Sequence, residues 1–250
     1  LLRHIQENFP VEEVSEYTIE AGRPDSINRE KLMAIREFPV TRISVNPQTM
    51  NQKTLDIIGR RHTVEDTVRA FCLARDCGFD NINMDLIVGL PGEHKEDVEH
   101  TLEEVKKLAP DSLTVHSLAV KRAARLNIFR DQYQEMAFEN NQEIMDMAMK
   151  YAYEMGMGPY YLYRQKNMCG NLENTGFAKV DKAGIYNILM MEEKQSIMAA
   201  GAGASTKFVF QNGERIERAE NVKDVTNYIS RIDEMIQRKK VGIDTWLKKI

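Results

Sequence analysis

Four times within the first 120 residues, an apolar β-type stretch with a polar residue near its end gives way to a helix-type stretch. The β-type stretches are Glu16–Glu20 (EYTIE), Arg42–Gln48 (RISVNPQ), Asn81–Val88 (NINMDLIV) and Ser112–Ser117 (SLTVHS). Strands that alternate with helices build parallel βαβ units, because a parallel neighbour can be reached only by a crossover long enough to hold a helix. Ligands of such sheets gather at the carboxyl ends of the strands. The alternation therefore predicts that Glu20, Gln48, Asp85 and His116 point into one shared site.

Bulk composition restricts the partners. A chain of 250 residues suffices for one large α/β domain, or one domain with a small appendage. Lys+Arg 34 against Asp+Glu 38 leaves a net charge of −4, which argues against a dominant nucleic-acid or membrane-surface role. No apolar run approaches the roughly 20 residues of a membrane span, and no stretch reads as a secretory leader. The three cysteines, Cys72, Cys77 and Cys169, are too few and too scattered for a disulfide framework, so the sequence predicts a cytoplasmic protein. They also lack the spacing of a metal cluster held by this chain alone. Leu1–Asn8 reads as the end of an amphipathic helix with neither cap nor initiator Met. The chain thus reads as a fragment whose earlier βα units lie outside it.

Punctuation marks the remaining elements. A short helix is predicted over Asn28–Glu37, and another after Asn51 that closes at Gly59. Thr63-Val-Glu-Asp66 has the form of a capping box opening a helix to Cys77, with Gly78 as its stop. Gly89-Leu-Pro-Gly92 is a tight turn before a helix over 94–108, whose apolar face is Val98, Leu102, Val105 and Leu108. A long Met-rich helix is predicted from Phe129 to Met155, then loops and short strands over 158–188. Asn212-Gly213 signals a hairpin, and Asp224–Lys240 a final amphipathic helix.

Asp85 carries the sharpest chemical signal. It interrupts the most strand-like segment, where an ionised carboxylate is costly unless it is paired or hydrogen-bonded. It serves either a structural salt bridge or a ligand at the strand end. Glu20 and Gln48 repeat that logic on neighbouring strands. Two carboxylates and an amide suit a ligand bearing ammonium and hydroxyl groups better than a hard cation, which wants more carboxylates. Arg60, after Gly59, either complements a helix dipole or clamps a carboxylate. Gly201-Ala-Gly-Ala-Ser205 and Gly89–Gly92 lack what phosphate loops need and read as turns. Tyr160-Tyr-Leu-Tyr-Arg-Gln-Lys166 mixes rings and cations, as either an edge strand or the lining of a pocket for a large, flat, acidic molecule.

Together, Thr18–Pro24 (TIEAGRP), Arg42–Gln48, Gly59–His62 (GRRH) and Asn83–Gly92 (NMDLIVGLPG) resemble the radical S-adenosylmethionine (SAM) proteins. More narrowly, they resemble the oxygen-independent coproporphyrinogen III dehydrogenase family of haem biosynthesis, in order and spacing across residues 16–120. Tyr160–Asn167, Gly184–Ile188 and Gly201–Ser205 resemble its HemZ-like branch more loosely. The resemblance implies an α/β fold, a partial (β/α)₆ TIM-like barrel. Residues 1–125 would hold its last four units and 126–250 a family-specific α+β region.

It further implies that Glu20, Gln48, Arg60, Asp85 and Ala119 bind SAM. The family's C-x-x-x-C-x-x-C loop for a [4Fe–4S] cluster is not in this sequence, so the chain as written is expected to be inactive and to bind SAM weakly or not at all. Its open sheet edge is expected to promote association. The full-length parent would be a monomer that uses an electron donor. Its 5′-deoxyadenosyl radical would convert porphyrinogen propionates to vinyl groups. Tyr161, Tyr163, Arg164 and Lys166 are the residues expected to face the porphyrinogen. A haem-binding or haem-delivery protein on the same scaffold is the alternative, and an unrelated βα-barrel enzyme using the strand-end acids is a third reading.

Overall fold

The computed structural model describes residues 1–119, 139–164 and 172–248. They divide into two compact units, Leu1–Gly184 and Ile185–Ile250, so the division falls well beyond the boundary expected at 125/126. The first unit is built on strands β1 (Thr18–Gly22), β2 (Arg42–Val45), β3 (Ile82–Val88), β4 (Ser112–Ser117), β5 (Gly158–Tyr163) and β6 (Asn174–Ala178). Their order is β1-β2-β3-β4-β6-β5. The first four run parallel, as the alternation predicts. The last two were expected as loops and short strands. They extend the same sheet antiparallel, β6 against β4 and β5 against β6.

The helices of this unit are α1 (Leu2–Asn8), α2 (Arg29–Arg36), α3 (Gln52–Ile57), α4 (Val64–Asp76), α5 (Lys95–Leu108) and α6 (Gln142–Glu154). Thr63 opens α4 as its spacing predicts. Its hydroxyl accepts from the Asp66 N–H at 3.0 Å, and the Asp66 carboxylate accepts from the Thr63 N–H at 2.9 Å. Such a cap contributes about 1 kcal/mol. Asp97 closes the equivalent loop at α5 by accepting from the His94 N–H at 2.9 Å. The predicted Phe129–Met155 helix needs correction: residues 120–138 lie outside the described residues, and α6 begins at Gln142 because Asn141 caps it, accepting from the Ile144 N–H at 3.0 Å.

Period-two alternation gives the sheet two unlike faces. Ile43, Val45, Ile82, Met84, Leu86, Val88, Leu113, Val115 and Phe177 share one core with Leu32, Phe71, Val98, Leu102, Ile144 and Ala148 of the helices. The opposite face carries Glu20, Arg42, Ser44, Asn83, Asp85, Ser112, Thr114 and His116. Burial pays for the fold on the first face (each buried Leu or Phe contributes about 1.5–3 kcal/mol), which frees the second for chemistry.

The second unit holds helix α7 (Ile185–Met191), a hairpin of β7 (Ser205–Phe210) and β8 (Arg215–Glu220), and helices α8 (Val225–Ser230) and α9 (Ile232–Leu247). The hairpin stands where Asn212-Gly213 places it, though its turn is a 3₁₀ segment over Gln211–Gly213. The single final helix expected over 224–240 is two helices, broken at Arg231 (φ −114°, ψ 27°), and the second runs on to Leu247. α9 is fastened to the hairpin by Trp246, whose Nε1–H donates to the Val209 carbonyl at 2.8 Å. No helix among the described residues is long and apolar enough to cross a membrane.

Candidate functional site

The polar face culminates at the carboxyl ends of β1, β2 and β3. Glu20 projects from β1, where its Oε2 accepts from the Ser44 hydroxyl at 2.5 Å and from Asn46 Nδ2 at 3.5 Å. Asn46 Oδ1 is buried there with no hydrogen-bond partner. An orphaned acceptor beside a carboxylate is a place where a donor-bearing ligand recovers the desolvation cost, about 1–3 kcal/mol.

Gln48 follows Pro47 in the left-handed region, φ +73°, which non-glycine residues adopt only when their surroundings impose it. Three contacts impose it. The Gln48 N–H donates to the Asp85 carbonyl at 3.1 Å, the Gln48 carbonyl accepts from the Ile87 N–H at 2.8 Å, and the Pro47 carbonyl accepts from His62 Nε2 at 3.1 Å. The ladder to β3 thereby resumes beyond the proline, and the Gln48 side chain returns to the Asn46 carbonyl at 3.4 Å. Glu20, Gln48 and Asp85 are thus connected by a short relay of hydrogen bonds across three strand ends.

Asp85 lies on the polar face with Oδ1 accepting from Asn83 Nδ2 at 2.7 Å, while Oδ2 lies 3.9 Å from His116 Nε2. Burial alone would raise its pKa. His116, Asn83 and Thr114 outweigh burial and hold the carboxyl below its ordinary value. Asp85 is therefore ionised at neutral pH.

Arg60 leaves the end of α3 half-buried, and burial, together with the Arg23 guanidinium, lowers its pKa without threatening its charge. Arg23 is committed to Asp25 through two hydrogen bonds, Nε to Oδ1 at 3.1 Å and Nη2 to Oδ2 at 2.6 Å. His62 is 1% exposed; burial pushes its imidazole down, and its Nδ1 has no partner. Ala119 is half-buried just past β4, beyond the Leu118 N–H that donates to the Val88 carbonyl at 2.9 Å.

Of the four residues expected to face a porphyrinogen, Tyr161 lies over Gly176, on the face that carries Thr114 and Asp85. Tyr163 pairs in register with Asn174 and is 37% exposed. Arg164 stands 3.3 Å from Glu173, so its charge is partly spent. Lys166 lies outside the described residues.

Residues 4–105 match the family described as the radical SAM superfamily. That stretch, about two fifths of the chain, is similar to part of a radical SAM domain. Along 96% of its length the chain is 43% identical, over 240 residues, to the oxygen-independent coproporphyrinogen-III oxidase-like protein HemZ of Bacillus subtilis, covering 48% of that protein. It is 38% identical over 112 residues to the haem chaperone HemW of the same organism, which covers 45% of this chain and 29% of HemW. The solved radical SAM enzyme HemN, coproporphyrinogen III oxidase of Escherichia coli, superposes with a TM-score of 0.68 at 21% identity. That match covers 93% of this chain and 52% of HemN, and it shows a common fold. The chain spans about half the length of HemZ and of HemN.

The radical SAM family implies SAM and a [4Fe–4S] cluster as cofactors. Among the described residues no group of three or more His, Cys, Asp or Glu side chains is gathered as a metal ion requires. For SAM the fit is good. Two carboxylates, a buried orphan acceptor and an amide would suit ammonium and hydroxyl donors, and the half-buried Arg60 would suit a carboxylate.

Sequence reasoning singled out the acids but not their supports. Asn46, Asn83, Thr114 and His62 lie inside the motifs that were read, but no role was assigned to their side chains. Glu93 was missed too: it is 2% exposed and accepts from the Thr49 hydroxyl at 2.6 Å and from Asn51 Nδ2 at 3.0 Å. Asn51, expected to cap α3, makes no side-chain cap bond and instead ties the loop after β2 to Glu93 and to the first turn of α5, donating to the Asp97 carbonyl at 2.9 Å.

Proposed function

We propose that this chain is the SAM-binding part of a radical SAM enzyme resembling oxygen-independent coproporphyrinogen III dehydrogenase, which decarboxylates porphyrinogen propionates oxidatively to vinyl groups. The observation that carries the proposal is the 43% identity to HemZ over a match that spans 96% of the chain. In this reading Glu20, Gln48 and Asp85 accept from the ammonium and hydroxyl groups of SAM, Arg60 pairs with its carboxylate, and Ala119 lines the same pocket. SAM beside a reduced [4Fe–4S] cluster supplies the radical chemistry when both are bound. The chain's own part is positioning: holding SAM at the strand ends and presenting the substrate across the sheet from β5. Tyr161, Tyr163 and Arg164 face the porphyrinogen, rings against its plane and the guanidinium toward a propionate; Lys166, outside the described residues, is assigned to a propionate on its charge alone.

The similarity to HemW supports a second reading, a haem-binding protein on the same scaffold. Two measurements separate the two. A HemZ-length protein carrying this chain, reconstituted with iron and sulfide under anaerobic conditions, is supplied with coproporphyrinogen III, SAM and a reductant. Vinyl product supports the enzyme; stoichiometric haem binding with no turnover overturns it in favour of the carrier. For the 250-residue chain alone, weak SAM binding is expected in a titration of the ¹⁵N-labelled protein. Asp85→Ala is expected to reduce it at least tenfold, as loss of one hydrogen bond to a charged group requires.

A further inference from the structure

Arg42 opens β2 on the polar face and is 4% exposed. Among the described residues no carboxylate pairs with it, and its Nε is buried without a hydrogen-bond partner. A buried charge is costly unless it is paired. What Arg42 does have is a bond that crosses β3 to β4: Nη2 donates to the Ser112 hydroxyl at 3.2 Å. The buried Ser112 hydroxyl donates onward to Asn83 Oδ1 at 3.0 Å, and Asn83 Nδ2 donates to Asp85 Oδ1 at 2.7 Å. Three hydrogen bonds thus run head to tail from a buried cation to the half-buried carboxylate of the candidate site.

The path has one direction. A guanidinium carries donors and no acceptor, so the Ser112 oxygen accepts from it and keeps its single proton for Asn83. Asn83 then turns its carbonyl oxygen toward Ser112, and toward the Thr114 hydroxyl at 3.5 Å, and its N–H toward Asp85. Reversed, the amide would set its oxygen against a carboxylate. Bonds aligned in this way polarise and strengthen one another where the dielectric is low. Register supplies the footing, since Ser44 pairs with Asn83 and Asn83 with Ser112, which brings the middle of the path to one level of the sheet. We propose that Arg42 is a positioning residue for Asp85, acting through Ser112 and Asn83, and that Asp85 is the counter-charge this guanidinium lacks beside it. What Asp85 binds rests on the SAM reading above; that Arg42 holds it does not.

The test follows two signals in the ¹⁵N,¹³C-labelled chain, the Asn83 side-chain amide and the Asp85 carboxyl, and reads SAM binding in the same samples. The variants are Arg42→Met, Arg42→Lys, Ser112→Ala and the Met–Ala double. Ser112→Ala cuts the path with the arginine in place, so the outcome does not hang on one variant folding. Arg42→Met and Ser112→Ala should each shift the Asn83 amide and move the Asp85 carboxyl upward, because the charged form loses support while His116, Thr114 and Tyr161 still face it. SAM binding should weaken about tenfold, the weight of a hydrogen bond to a charged group, and the double variant should lose no more than the worse single one. Arg42→Lys, which keeps charge and donors, should recover part of the loss. Unmoved Asn83 and Asp85 signals in either folded single variant, or losses that add in the double, make Arg42 a packing residue and overturn the inference. If wild type shows no shift with SAM at millimolar concentration, the pocket reading falls by itself, and the two side-chain signals still decide the role of Arg42.

Discussion

Gly176→Ala tests whether the β5–β6 pair really places Tyr161 over the polar face. A Cβ at position 176 would lie 1.9 Å from Tyr161 Cε1, 2.3 Å from Cδ1 and 2.9 Å from Cζ. Carbon atoms in contact stand about 3.5–4.0 Å apart, so the ring must retreat by roughly 1.5–2 Å. It cannot retreat with its strand, because Tyr161 and Gly176 are register partners in the ladder. Only rotation about its own side-chain bonds relieves the clash, and that carries the ring off Thr114 and Asp85. Forced overpacking costs about 1–3 kcal/mol. Alanine's smaller loss of backbone freedom offsets about 0.5–1 of it.

The assay is urea unfolding of wild type, Gly176→Ala, Tyr161→Ala and the double variant. With the ring gone the clash has no second partner, so Gly176→Ala should stabilise by about 0.5–1 kcal/mol in the Tyr161→Ala background, against a net cost of up to about 2.5 kcal/mol in wild type. A second readout is the phenol itself. Burial, eased by the Thr114 hydroxyl and raised further by Tyr160 and Asp85, pushes Tyr161 up to about 12. Once expelled it should titrate near about 10, the ordinary value. Costs that add within about 0.5 kcal/mol, with the phenol unmoved, would refute the placement of Tyr161.

Gly242→Ala puts a Cβ 2.3 Å from Phe208 Cε2, so it should destabilise the second unit by about 1–3 kcal/mol although alanine is the better helix former; thermal unfolding of the 185–250 unit within the whole chain reads it, and a rise in midpoint would count against the packing. Burial raises the Glu93 carboxyl above its ordinary value, against the pull of Thr49 and Asn51. A raised folded-state pKa contributes stability that is fully present below the unfolded value and is lost as pH rises through the folded one. Glu93→Gln should therefore be at least as stable as wild type at pH 7 and lose that advantage toward pH 4, with melting temperatures against pH as the measurement.

How much of this was legible in the chain depended on whether the decisive partner was near in sequence. Thr63 and Asp66 are three residues apart, so the α4 cap could be read directly and is found as read. Four parallel strands were legible because each is a local apolar run bounded by its own turn signals. β6 was not legible. Its NTGFA has no alternation of its own, and its place beside β4 is fixed by pairs such as Leu113 with Phe177, 64 residues apart by number (177 − 113). The Asp224–Lys240 helix failed differently: the apolar period continues through Arg231, and only the backbone turn there breaks it.

The candidate site shows the same division one level down. Asp85 stood out because a carboxylate inside INMDLIV is locally improbable. What makes it usable is non-local: Asn83 takes one oxygen, and the register of β3 with β4 brings Thr114 beside it and His116 to 3.9 Å from the other. A strand slipped by one residue would turn Asp85 into the helix-packed core and Met84 onto the open face. There an ionised carboxylate without a charged partner would cost several kcal/mol. The hydrophobic pattern of Met84, Leu86 and Val88 therefore does more than stabilise the sheet. By fixing the register it decides which atom of Asp85 is offered to a ligand, so mutations on the helix-facing side of β3 should disturb binding at the strand end without touching it.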